Sequence, residues 1–193
     1  MNWEEVIREY IKKSLSGESG HDYEHTIRVY NMCIRLAELE GADVEILKAA
    51  SLLHDIARPA EATIGISHSI KGAEMAKNIL KETNFPEPKI DNVCKVIKSH
   101  RFTEGIEPQE IEEMILRDAD RLDALGAIGI ARAFIFGGKN GRSLKESVKH
   151  FHEKLLQLKE GMYTVSAYNI SVERHKFMEQ FLDRLQKEIV GEA

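Results

Sequence analysis

The sequence predicts an all-α protein, a single-domain helical bundle. Apolar residues recur at three- and four-residue spacing along nearly the whole chain. Helix-start and helix-stop residues punctuate those stretches. Period-two alternation is confined to the segment between Tyr163 and Val172, and a strand there has no partner elsewhere in the chain.

Taken in order, Val6, Ile7, Tyr10 and Ile11 form a short amphipathic face that ends in a linker over 14–20. Asp22 can cap a second helix whose inward stripe is Val29, Met32, Cys33, Leu36 and Ala37, with Gly41 suited to its C-terminus. Asp43 can cap a third, running through Ala57, with Leu47, Ala50, Leu53 and Ile56 on its densest apolar face. It is apolar almost all round at 49–53, which places it at the centre of the bundle, and Pro59 ends it. Residues 58–68 read as a loop. A fourth helix carries Ile70, Ala73, Ala76, Ile79 and Leu80; a fifth carries Ile90, Val93, Cys94, Val96 and Ile97 and delivers His100 at its end. Pro108 followed by Glu110, Glu112 and Glu113 marks the start of a sixth, with proline in the first turn and acids near the positive end of the dipole. It is expected to run on to Ala133, its small apolar stretch 124–131 implying a buried helix with close neighbours. Glycines at 137, 138 and 141 break the chain. A capping box from Ser143 to Glu146 opens a seventh helix to about Lys159, and the last covers Val172 to Ile189. Lys154, Lys159, Arg174 and His175 on these C-terminal helices could cover the site or make an interface, against the simpler reading of a solvated face.

The 193 residues suffice for one well-buried core, and no repeat, low-complexity tract or interdomain linker interrupts them. Hydrophobic content of 42% beside 31% charged residues is that of a soluble globular protein. A net charge of −5 and pI near 5.9 argue against a nucleic-acid polymer as the main partner. A small anionic substrate remains compatible, because a metal ion and a few basic residues make a site locally positive. No apolar run approaches the roughly 20 residues that span a bilayer, and residues 1–5 lack the basic-then-apolar pattern of a signal peptide. Cys33 and Cys94 sit among apolar residues at helical spacing and read as buried free thiols. Together these favour the cytoplasm; homo-oligomerisation is left open.

Three polar clusters interrupt the apolar pattern, and uncompensated burial of such groups is costly. His21 and His25 are four residues apart and share a face if both are helical. Asp22 between them caps or ligates, and His21 reads as a surface capping residue. His25 opens the apolar stripe that continues at Val29, and Arg28 one turn later can present a guanidinium to phosphate. His54 and Asp55 stand at the end of the central helix. Alone they are equally a core histidine beside a capping aspartate or half of a metal site. In the third cluster Asp118 and Asp120 point to nearly opposite helix faces, so only one can face a given site, whereas Asp120 and Asp123 share a face. Two imidazoles with two carboxylates make a mixed N/O set suited to a divalent ion among Mn, Fe, Co, Ni, Zn and Mg. His68 and His100 are further candidates for a second ion, phosphate contact or acid–base work.

In this order, His25, then His54-Asp55, then a distal aspartate resembles the H…HD…D signature of the HD-domain metal-dependent phosphohydrolases, from about Gly20 through Ala133. Residues 20–29 are similar to the family's G-H-D-x-x-H-x-x-R-V opening, and 49–56 to its A-A-x-L-H-D-I centre. Residues 118–124 with the glycine/alanine run beyond them look most like a bacterial subgroup that includes nucleotide pyrophosphohydrolases. The resemblance implies an HD-domain fold with His25, His54 and Asp55 as metal ligands. The family's A-D-x-x-D-A-L form makes Asp120 the fourth, with Asp118 the alternative. His68 and His100 resemble histidines that bind further metal in two-metal relatives. The chain lacks, however, the double histidine and Gly-Tyr-Pro of cyclic-di-nucleotide phosphodiesterases. The expected activity is hydrolysis of a phosphate ester or anhydride by a metal-activated water, with a nucleotide as the substrate class. Asp55 would orient that water or take its proton. Arg28, Lys71 or Arg121 would neutralise phosphate charge, and Asp123 is a further substrate-side candidate. The alternatives are a phosphomonoesterase, a cyclic-nucleotide phosphodiesterase, a di-iron oxygenase on a related scaffold, or a non-catalytic metal- or nucleotide-binding sensor.

Overall fold

The structure, a computed structural model, describes residues 2–15 and 22–192, and among them it is helical with no strand. Two compact units divide the chain, Met1–Ala119 and Asp120–Ala193.

In the first unit α1 (Trp3–Ser14), α2 (Tyr23–Glu40), α3 (Val44–Leu53), α4 (Arg58–Ile64), α5 (His68–Lys81) and α6 (Ile90–Ser99) precede α7 (Ile111–Leu122), inside which the unit boundary falls. The predicted caps form. Asp22 accepts the His25 N–H, Asp43 accepts those of Glu45 and Ile46, and Gly41 ends α2 at φ 75°. Helix α3 packs against α1, α2, α5 and α6, as its all-round apolar surface requires. Leu47, Ala50, Leu52 and Leu53 are fully buried, and each leucine contributes about 1.5–3 kcal/mol by leaving water.

Helix α3 is shorter than predicted. It stops at Leu53, His54 is its C-cap, and residues 54–57 form a turn in which the Ile56 N–H bonds the Leu53 carbonyl and the Arg58 N–H that of Asp55. Pro59 starts a helix instead of ending one, and the expected loop 58–68 contains α4. Proline at the first turn forfeits an N–H that would lack a helical partner anyway.

In the second unit α8 (Gly126–Lys139) packs against α9 (Leu144–Glu153) and α10 (Val165–Val190). Phe134 of α8 meets Phe151 and Phe181 at ring-centroid distances of 5.5 and 5.9 Å. The single helix expected from 108 to 133 is broken between α7 and α8. Three successive i→i−3 bonds, from the N–H groups of Asp123, Ala124 and Leu125, tighten the end of α7, and Gly126 then takes φ 71°. Helix α8 also runs through Gly137 and Gly138. It is not buried all round, since Ile128, Ile135 and Phe136 are exposed. The Ser143 capping box forms, but α9 ends at Glu153 and a 3-10 segment follows from Leu155 to Gly161. Thr164 caps α10, so the alternating stretch is helical from Val165 onward; without a partner strand, the helix satisfies its backbone groups locally. No helix among the described residues is long and apolar enough to cross a membrane.

Candidate metal centre

Helix ends bring four of the first unit's histidines together. The Asp22 cap starts α2 so that His25 lies in its first turn, fully buried. The end of α3 delivers His54 and Asp55, the first turn of α5 delivers His68, and the C-cap of α6 delivers His100. All are buried. The imidazoles of His25, His54, His100 and His68 follow one another at centroid distances of 5.4, 5.3 and 5.2 Å.

Asp55 lies among them. Its Oδ2 is 3.7 Å from His25 Nε2 and 3.5 Å from His54 Nε2, while its Oδ1 is 3.3 Å from His68 Nε2 and 3.8 Å from His100 Nε2. A carboxylate that leaves water costs several kcal/mol unless charge and hydrogen bonds compensate. Arg58 Nε, donating to Oδ1 at 2.9 Å, supplies part of that compensation.

Ring tautomers follow from the partners of the other nitrogens. His54 Nδ1 lies 2.7 Å from the Ser51 carbonyl and His100 Nδ1 2.6 Å from that of Ile97. A carbonyl only accepts, so both Nδ1 atoms carry a proton, and in the neutral rings both Nε2 atoms present lone pairs. Among the described residues, His54 Nε2 is buried without a hydrogen-bond partner, which is what a ligand nitrogen awaiting a cation looks like. His68 Nδ1 is 2.8 Å from Glu61 Oε2. Burial tends to raise the pKa of Glu61, but the hydrogen bonds and charges of His68 and Arg101 outweigh it and hold the group below its ordinary value. It is therefore ionised and accepts. Burial, then the charge of Arg58, holds His68 below the ordinary imidazole value against the pull of Asp55 and Glu61. The Nε2 atoms of His68 and His100 face each other at 3.3 Å. A divalent cation among them would relieve the repulsion of two lone pairs at that distance. Asp55, His68 and His100 each offer a ligand atom within 4.8 Å of the others, and the donor set fits a borderline divalent ion.

The remaining sequence candidates are placed as follows. Arg28 is partly exposed on α2. Lys71 is partly exposed and paired with Glu74 at 2.9 Å. Asp118 is fully buried on α7, and Asp120, two residues on, is partly exposed. Within the second unit Arg121 donates to the Gly161 carbonyl and lies over the Tyr163 ring, and Asp123, beyond the end of α7, pairs with Arg132. His21 lies outside the described residues. Reading 58–68 as a loop hid Arg58 and Glu61; their fixed spacing from His54-Asp55 on a proline-started helix was the signal available. Arg117 was also passed over. It is buried and donates to the carbonyls of His100, Arg101 and Ile106 at 3.4, 3.2 and 2.8 Å, which fixes the segment that carries His100.

Residues 22–125 match the HD domain family. YpgQ of Bacillus subtilis is 37% identical over 199 residues, covering 97% of this chain and 94% of its own. The structure of YpgQ in complex with ADP aligns at a TM-score of 0.80 and 34% identity over 96% of this chain and 94% of that one. An HD-superfamily hydrolase from Bacillus thuringiensis aligns at 0.78 and 36% identity, covering 96% and 95%. A predicted HD superfamily hydrolase from an uncultured Thermotogales bacterium aligns at 0.77 and 31%, covering 95% and 91%. With a family match over more than half the chain and relatives alike over nearly their whole length, this chain belongs to the HD domain family.

Proposed function

We propose that this protein is a metal-dependent phosphohydrolase that cleaves a phosphate ester or anhydride, with a nucleotide as substrate. The observation that carries the reading is the position of Asp55, whose two carboxylate oxygens each lie 3.3–3.8 Å from a different pair of buried imidazoles. His25, His54 and Asp55 would hold a divalent ion, with Asp120 as the fourth ligand in preference to Asp118. Asp55, His68 and His100 would offer a ligand set for a further ion. A bound divalent ion would supply Lewis-acid polarisation of a phosphoryl oxygen and lower the pKa of a coordinated water.

The protein's own groups supply the rest. Asp55 would orient the attacking water or accept its proton. Arg58, adjacent to the carboxylate and partly exposed, would receive charge developing on the phosphoryl oxygens. The complex of YpgQ with ADP supports a nucleotide as the ligand class.

A panel of nucleotides and simple phosphate esters, assayed with Mn, Co, Ni and Mg and with products identified, tests the reading. Release of pyrophosphate, inorganic phosphate or a ring-opened monophosphate separates a pyrophosphohydrolase from a monoesterase and from a cyclic-nucleotide phosphodiesterase. Metal-dependent turnover lost in His54→Ala/Asp55→Ala supports the proposal. Full activity in that variant sinks it.

A further inference from the structure

We infer that Glu61 is a positioning residue that fixes the tautomer of His68. It does so by holding the ring proton on Nδ1 and keeping Nε2 as a lone pair directed at Asp55 and His100. The inference deepens the metal-site reading above and rests on it for its consequences, though not for its geometry.

His68 lies between two carboxylates that compete for one ring proton. Glu61 Oε2 is 2.8 Å from Nδ1, and Asp55 Oδ1 is 3.3 Å from Nε2. Each carboxylate also carries an arginine, Arg101 at 2.5 Å from Glu61 and Arg58 at 2.9 Å from Asp55, so a neighbouring positive charge does not separate them. Distance does. A contact of 2.8 Å is a full hydrogen bond and one of 3.3 Å a weak one, so the proton belongs on the Glu61 side.

Glu61 is itself held from several directions. Its backbone N–H bonds the Ala57 carbonyl at 3.0 Å in the proline-started α4. Arg101, which grips its Oε1, also reaches Glu104 at 3.4 Å. Glu104 accepts from Ser67 Oγ at 2.6 Å, and Ser67 is the residue before His68. A closed ring of polar contacts thus joins α4, the segment after α6 and the start of α5, and orients the His68 ring. Without Glu61 the proton is free to move to Nε2, where Asp55 and His100 accept it. It would then occupy the space a cation needs. An outer-shell carboxylate on a ligating histidine commonly changes metal affinity or activity by roughly 10- to 100-fold.

The test reads His68 in the metal-free protein by long-range 1H–15N correlation of 15N-labelled histidines, at a pH where the ring is neutral. Wild type and Glu61→Gln, whose amide oxygen still accepts, are expected to show His68 protonated on Nδ1. Glu61→Leu is expected to show it on Nε2 and to bind Mn roughly 10- to 100-fold more weakly by equilibrium dialysis, with Gln restoring most of that loss. His68 protonated on Nε2 in wild type overturns the inference, as does Glu61→Leu with unchanged tautomer and Mn affinity. If Glu61→Leu does not fold, the wild-type spectrum decides alone. Because the spectrum needs neither metal nor substrate, its outcome is separate from that of the phosphohydrolase reading. A protein with Nδ1-protonated His68 that hydrolyses no phosphate ends that reading and leaves this one standing.

Discussion

Arg58 Nε donates to Oδ1 of Asp55 at 2.9 Å, so the carboxylate that four buried imidazoles approach has a cationic partner three residues on. If that oxygen is also a metal ligand, as proposed, Arg58 would compete with the cation for it and would lie near the phosphoryl group of a bound substrate. Arg58→Met is expected to fold, to bind Mn more tightly and to lower kcat/KM by roughly 100-fold, since one lost donor at developing charge costs about 3 kcal/mol. Arg58→Lys restores the charge without the planar fork and should recover only part of the rate. Calorimetric Mn titration with steady-state kinetics checks both. An unchanged rate would reduce Arg58 to a counter-charge.

Asp118 and Asp120 stand on nearly opposite sides of α7, the first fully buried and the second partly exposed. With Asp120 as the fourth ligand, Asp120→Asn should weaken Mn binding by at least roughly 100-fold, more than loss of an outer-shell partner does. Asp118→Asn should lower the melting temperature and leave Mn affinity nearly unchanged. Equilibrium dialysis of the two variants decides, and the reverse pattern would assign the ligand to Asp118.

Asp43 caps the helix that ends in His54. Burial raises its pKa, but the Lys89 hydrogen bond, the Ile46 N–H, the Lys89 charge and the Glu45 N–H together bring it below its ordinary value of 3.8. A carboxylate with a depressed folded pKa contributes stability that is complete above its unfolded value and lost as pH falls through the folded one. Asp43→Ala should cost about 1 kcal/mol at neutral pH, the usual loss of a cap. Asp43→Asn keeps the cap and should fall between the two, and its gap from wild type should close as pH drops below 3.8. Urea unfolding across pH measures this.

The turn between α7 and α8 depends on two glycines. A Cβ at Gly129 would lie 2.2 Å from the Ala124 carbonyl oxygen, and Gly126 has φ 71° with Arg174 carbons 3.0–3.3 Å from where its Cβ would be. Gly129→Ala cannot be accommodated without moving backbone and should cost at least about 2–3 kcal/mol. Gly126→Ala should cost about 1–2 kcal/mol from the left-handed conformation. Chemical denaturation orders the two.

The residues gathered around Asp55 were legible because their chemistry is local. His25 follows a visible cap, and His54 with Asp55 ends an apolar run. What was missed depends on geometry that residue types do not display. Pro59 serves equally as a helix stop or a first-turn residue, and only the turn at 54–57 decides which. That choice hid Arg58 and Glu61. The apolar period also runs on through 122–130, so the break there is visible only as the positive φ of Gly126 and the close approach at Gly129. Asp123 shares a helix face with Asp120 only if α7 continues. It stops at Leu122, and Asp123 pairs instead with Arg132, nine residues on.

The central claim is that Asp55 and the imidazoles around it form a divalent-metal site, and Mn binding to wild type, His54→Ala and Asp55→Ala measured by equilibrium dialysis tests it most directly. Stoichiometric binding to the wild type, lost in both variants while their helical circular dichroism is retained, is the predicted result. Folded variants that bind Mn as tightly as the wild type would contradict it.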